Sequence, residues 1–198
     1  MKIEPNYVMR GSVFNVEEMN LCTTAQEYFK VFVKTRSLSI ADVYAGKLCA
    51  ALDRQHPRDL FDVKLLQEGT GISSEIRRAF VVYLACHNRP ISELLNPSLL
   101  DIEKLYDNQF NGMTRTEIAL DELTHIQRNL APNLLSALDS REREFLISMK
   151  LGEPDWELLG IDHIRQLPGL QWKLLNIRRM NEKKRLISVL KLKRILDY

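Results

Sequence analysis

Within K-L-C-A-A-L-D-R-Q-H-P-R-D-L-F-D, residues 47–62, a lysine opens a small, apolar, helix-like run and a dense polar cluster closes it. Lys47 stands among Ala45, Gly46, Ala50 and Ala51. A lysine in such surroundings must extend its ammonium to water or find an anion. Beyond Pro57 come Arg58, Asp59 and Asp62. Helical spacing puts residues three and four apart on one face, so these three share a face. A turn over Gln55-His56-Pro57 brings that face towards Lys47, with one carboxylate to hold the lysine and the other to hold Arg58. Two readings follow. One is an ion-pair network that fixes the angle between two helices; the other is a phosphate or nucleotide site. Spacing alone leaves both open.

The elements that must position this cluster read as helices. Ser39 or Asp42 caps one running to about Leu52, and Pro57 starts a second, to about Gln67, before Gly69 and Gly71. Further helices are expected over 73–88, 91–95, 99–110, 116–138, 139–150, 169–180 and 182–196, with Pro132 disturbing the longest. Residues 1 to about 34 read as β-rich: K-I-E-P-N-Y-V-M starts a strand and V-F-V at 31–33 makes another. Two or three strands make no stable sheet unless they pack on helices or on more strands. The expected fold class is α+β, mostly α: a small N-terminal β segment followed by a helical bundle. The expected units are residues 1–68, carrying the lysine–aspartate motif, and residues 69–198.

The run S-L-S-I-A-D-V-Y-A-G-K-L-C-A-A-L-D-R-Q-H-P-R-D-L-F-D-V resembles the AbiEii family, the nucleotidyltransferase-like toxins of type IV toxin–antitoxin and abortive-infection systems. Gly46, Lys47, Leu48, Ala50, Ala51, Arg54, Arg58, Asp59, Leu60 and Asp62 carry the family pattern. G-E-P-D-W at 152–156 and L-P-G-L-Q-W-K-L-L-N-I at 167–177 resemble its C-terminal region. The resemblance implies a polymerase β-like sheet, here as a remnant, and transfer of a nucleotide from a nucleoside triphosphate with Mg²⁺. Lys47 and Asp62 would be the catalytic pair, with Arg54, Arg58 and Asp59 on the substrate side. Cationic groups on phosphates and carboxylates on metal or nucleophile suit that chemistry.

The family's first motif is a Gly-Ser pair followed by two carboxylates one residue apart. Gly11-Ser12 is followed only by the adjacent Glu17 and Glu18. Glu4 is a lone strand acid. The expectation is therefore an N-terminally shortened member, inactive alone as a transferase. The alternatives are a partner- or RNA-binding module on the same scaffold, or one half of an active enzyme.

Other chemistries lack their motifs. His56, His87, His125 and His163 have no metal spacing, and no metal site is expected. Neither G-x-x-x-x-G-K-[ST] nor G-x-S-x-G occurs. Cys22, Cys49 and Cys86 read as reduced, buried thiols of a cytoplasmic protein. Trp156 and Trp172, set among leucines, read as core. The net charge of +2 hides an asymmetry: residues 171–198 hold nine Lys and Arg against two acids. That tail reads either as a solvated amphipathic helix pair or as a patch for RNA or tRNA phosphates. A membrane-surface helix is a third reading, without a lipidation signal. Expected partners are a second copy or an upstream half, RNA, and an antitoxin, with no membrane.

Overall fold

The structure is a computed structural model that describes residues 11–198. The strand expected over K-I-E-P-N-Y-V-M, with Glu4 and Pro5, lies outside the described residues. The described chain is mostly helical, with a small sheet near its start.

Strand β1 (Glu17–Asn20) pairs antiparallel with β2 (Lys34–Ser37), with Glu17 opposite Ser37 and Met19 opposite Thr35. Between them runs helix α1 (Thr23–Phe29), where the sequence read as β-rich. Thr-Thr-Ala-Gln-Glu supplies little period-2 alternation, and Lys30, left-handed at φ 51°, ends the helix by bonding back to Gln26. The strand expected at 31–33 is formed at 34–37 instead, although the Leu21 amide still donates to the Val33 carbonyl at 2.9 Å.

Helix α2 (Ile40–Arg54) starts where Ser39 accepts from the Asp42 amide at 3.0 Å. It ends at Gln55, left-handed at φ 51°. Pro57 opens α3 (Pro57–Glu68), where its missing N–H costs nothing. His56 caps it, its Nδ1 accepting from the Arg58 amide at 3.2 Å. Then follow α4 (Ser74–Cys86), α5 (Ile91–Leu94), α6 (Glu103–Gln109), α7 (Leu120–Ala137, with Pro132 inside) and α8 (Ser140–Leu151). Asp139 and Glu142 form a reciprocal capping box at the start of α8. Two 3-10 turns, Trp156–Leu159 and Asp162–Gln166, lead to α9 (Pro168–Arg179) and α10 (Glu182–Ile195).

Helix α2 packs on α3, α4 and α7, while α8 bears on α4, α9 and α10. Leu48, Leu52, Leu60, Phe80, Leu84, Leu123, Leu130 and Phe145 are fully buried in this core. Each fully buried aliphatic or aromatic side chain contributes about 1.5–3 kcal/mol relative to exposure. Trp156 packs on Phe145, with ring centroids 6.1 Å apart. Cys49 and Cys86 are buried as expected, but Cys22, just before α1, is exposed, and Trp172, expected in the core, is 51% exposed. Its neighbours Leu170, Lys173, Leu174 and Ile177 take the buried face of α9, and Trp172 falls outside that stripe.

Candidate functional site

The turn between α2 and α3 is fixed from outside. The Gln55 side chain donates to the Ser98 carbonyl at 2.9 Å and accepts from the Leu100 amide at 3.0 Å. Gln127, buried on α7, donates to Gln55 Oε1 at 2.7 Å and to the Leu100 carbonyl at 2.9 Å. These amides bond the backbone at Ser98 and Leu100, and α6 starts beyond them, at Glu103 and not near 99. They also hold the left-handed residue that reverses the chain, and so set α3 against α2. Sequence reading missed both glutamines. A glutamine directly before a histidine–proline turn was the only available signal for Gln55, and nothing local marked Gln127.

On this clamped pair of helices, Lys47 Nζ donates to Asp62 Oδ2. The two side chains are 37% and 29% exposed, so the pair sits at the protein surface. Arg54 Nη2 meets Asp59 Oδ1 at 2.7 Å, with Arg54 62% exposed and Asp59 nearly buried. Asp59 Oδ2 is buried and makes no hydrogen bond.

The partnership expected for Arg58 is not formed. Its Nε and Nη2 donate to the Gln109 carbonyl at 3.2 and 3.1 Å, and Nη2 approaches Met113 Sδ at 3.5 Å. Arg58 lies in the first turn of α3 and leans outward to satisfy a terminal carbonyl of α6, where a cation also meets the helix dipole favourably. His56 Nε2 lies 3.1 Å from Gln109 Oε1 in the same contact. Arg58 and His56 therefore tie α6 to the turn, and the acids of α3 go to the cations of α2.

The outward face of α2 carries Ile40, Val43, Lys47 and Arg54 at helical spacing, and Ile40 and Val43 are 51% and 39% exposed. Lys47 and Arg54 are two turns apart, ~10 Å along the helix. A Cβ at Gly46 would meet only Tyr83 Cε1, at 3.9 Å. A mid-helix glycine costs roughly 0.5–1 kcal/mol relative to alanine. Packing among the described residues does not require that cost.

Asp42 is a second feature that sequence reading undervalued. It is 1% exposed and accepts from the Val13 amide at 2.7 Å, the Phe14 amide at 3.0 Å and the Ser39 hydroxyl at 2.8 Å. It anchors the chain entering the β1–β2 ribbon to the start of α2. Burial, and then the charge of Asp42, push the Tyr83 phenol well above its ordinary range.

The described residues do not fit a magnesium ion by themselves. Mg²⁺ takes oxygen ligands in octahedral geometry. Asp62 is engaged by Lys47, Asp59 is engaged by Arg54, and the remaining Asp59 oxygen is buried. Among the described residues no group of three or more His, Cys, Asp or Glu side chains could hold a metal ion. His56 and His125 are paired with Gln109 and Asn129, and His87 Nε2 lies 3.7 Å from Asp53. No helix among the described residues is long and apolar enough to cross a membrane.

The family model described as nucleotidyl transferase AbiEii toxin, type IV toxin–antitoxin system, matches residues 1–174 of the 198. No curated protein and no solved structure matches the chain.

Proposed function

Starting from the AbiEii nucleotidyl transferase toxin family, to which this chain belongs, we propose that the α2–α3 pair is the triphosphate-binding part of a nucleotidyl transfer site. One observation carries the reading: Lys47 is held by a single acid on an open helix face, with the exposed cation Arg54 two turns along and small residues between them. A pair at this exposure adds little to stability. Its cation is free to exchange a carboxylate for a phosphate, which carries more charge and more acceptor oxygens.

Asp62 then has two roles. It holds the Lys47 ammonium in place while no nucleotide is bound, and it accepts from the lysine again once the phosphates leave. Arg54, braced by the nearly buried Asp59, meets the far end of the phosphate chain. Arg58 acts through position, by holding α6 against the turn. Magnesium and its carboxylates are outside this set. The family's Gly-Ser and paired-carboxylate motif does not occur in the 198 residues, so binding without transfer is the activity assigned to the chain alone. Family membership also implies an antitoxin partner. The cations of α9 and α10 would draw RNA by charge, as a second role.

Equilibrium dialysis with labelled nucleoside triphosphates tests the reading. Binding that falls about tenfold or more in Lys47→Ala, and weakens as salt rises, is the expected result. Binding indifferent to Lys47→Ala and Arg54→Ala would refute it. Incubation with Mg²⁺, each triphosphate and tRNA should leave no label on the tRNA.

A further inference from the structure

Helix α10 carries apolar residues on two faces, and the fold uses only one. Val189 and Leu192 are buried on the side that packs against α8 and α5, and Leu196 continues that row. The rotation of an α-helix gathers Lys183, Leu186, Ile187, Leu190 and Arg194 on the other side, in a sector about 100° wide. Leu186, Ile187 and Leu190 are 47%, 64% and 64% exposed. They make one turn of aliphatic surface, about 6 Å along the axis. Lys183 closes this patch at one end and Arg194 at the other, and Lys184 and Lys191 run along one edge; all four cations are exposed. Among the described residues none of the four has an ion pair, whereas Lys47, Arg54, Lys64, Arg77 and Arg89 each have one. Glu182, at the start of the other edge, is the only acid of the helix.

We propose that the outer face of α10 docks a helix of another polypeptide, one whose apolar stripe is edged by Asp and Glu. An aliphatic centre with a charged rim is the layout of a protein–protein contact. The unpaired cations of the rim set the sign of the partner's charge, and the stripe sets its shape, since two helices side by side meet through residues at i, i+3, i+4 and i+7. A second copy of this chain would bring cation against cation around the same centre, which opposes self-pairing here. RNA phosphates are drawn by the cations alone, and recognition of bases relies on aromatic and guanidinium planes, so Leu186, Ile187 and Leu190 gain nothing from RNA. A helix lying on a lipid surface sinks an apolar face along its length. The longer apolar row of α10 is already spent in the core, and the outer patch is a single turn stopped at both ends by charge.

Fluorescence anisotropy on the full chain tests the proposal with two labelled synthetic helical peptides. Both carry one leucine stripe, edged by glutamates in the first and by lysines in the second. The glutamate-edged peptide should bind, more weakly as salt rises, and the lysine-edged one should not. Ile187→Ser combined with Leu190→Ser should weaken binding about tenfold or more, because two aliphatic side chains no longer leave water on docking. Lys183→Gln combined with Arg194→Gln should weaken it too and flatten its salt dependence. Circular dichroism of both variants should stay unchanged, because none of these side chains belongs to the core. Leu65→Ser, at an exposed leucine of α3, should leave binding intact. Failure of the glutamate-edged peptide to bind overturns the proposal, as does equal binding of the two peptides or indifference to the Ile187–Leu190 variant. Phosphatidylglycerol vesicles and a short RNA duplex serve as rivals in the same assay. If that variant loses either of them about tenfold while keeping the peptide, the face belongs to the rival and the proposal falls.

Discussion

Whether Lys47 and Asp62 bolt two helices together or wait for a ligand can be decided by measuring what the pair contributes to stability. The perturbation is a double-mutant cycle, Lys47→Ala and Asp62→Ala, singly and together, in urea unfolding. At 37% and 29% exposure the pair sits in a high-dielectric, salt-screened setting, and half-exposed pairs couple by about 0.2–1 kcal/mol. The same protein supplies an internal standard. Glu142, 1% exposed, accepts from Arg77 Nε with both oxygens, at 2.8 and 2.7 Å, and Asp139 accepts from Nη2 at 3.2 Å. That cluster joins α4 to α8 inside the body. Burial alone would lower the Arg77 pKa, but its partners outweigh burial and raise it. Removing one partner from a buried pair costs about 3–5 kcal/mol. The expectation is therefore a loss of about 3–5 kcal/mol in Glu142→Ala, against a coupling below about 1 kcal/mol in the Lys47–Asp62 cycle. If the cycle returned more than about 2 kcal/mol, the pair would be a structural bolt and the proposed site would lose its main support. Adding a nucleoside triphosphate should stabilise the parent protein, because a ligand that binds only the folded state shifts the equilibrium. It should not stabilise Lys47→Ala.

Gln127→Ala should destabilise the protein by about 1–3 kcal/mol in the same urea assay, by stripping a buried partner from Gln55 and from the Leu100 carbonyl. It should also weaken triphosphate binding without touching the Lys47 face; unchanged binding would show that the turn is held without it. Tyr83 makes stability sensitive to alkali. Its phenol ionises near pH 10 in the unfolded chain and higher in the folded one, so the folded state holds the proton more tightly and stability falls as pH rises above about 10. Tyr83→Phe should shift the alkaline unfolding midpoint upward, and an unshifted midpoint would remove Tyr83 as a cause.

The helical body was legible because its signals are local. Ser39 caps a helix where a capping residue was read, Ser73 and Asp139 cap helices at the starts expected for them, and Pro57 and Pro168 stand at first turns. The approach of Lys47 to Asp62 was also legible, since two helices joined by a short proline turn bring such positions together. What could not be read was which acid meets which cation. Asp59 and Asp62 lie on adjacent rows of α3, and a choice between Arg54 and Arg58 depends on where α6 ends, a fact set by residues fifty positions away. Gln109 decides it by presenting a carbonyl to Arg58. Gln55 and Gln127 were invisible for the same reason, as their partners are separated by 72 residues. Trp172 misled because leucine neighbours describe composition, whereas burial on α9 follows phase.

The ribbon and the lysine face belong to one question. The ribbon leaves Met19, Leu21 and Val33 partly exposed on one face, and Ile40 and Val43 in the first turns of α2 are exposed as well. Apolar side chains exposed in this way gain nothing from packing among the described residues. The helical core, by contrast, is locally consistent throughout, with caps, turns and buried leucines all in agreement. Places where local choices disagree with the isolated fold are where ligands and partners are expected. Strand β2 leads directly into α2, whose first turns carry Ile40 and Val43 just ahead of Lys47. Lys47 is already held by Asp62, so a phosphate reaches it only by displacing that carboxylate, and the pair's surface position is what makes the exchange possible.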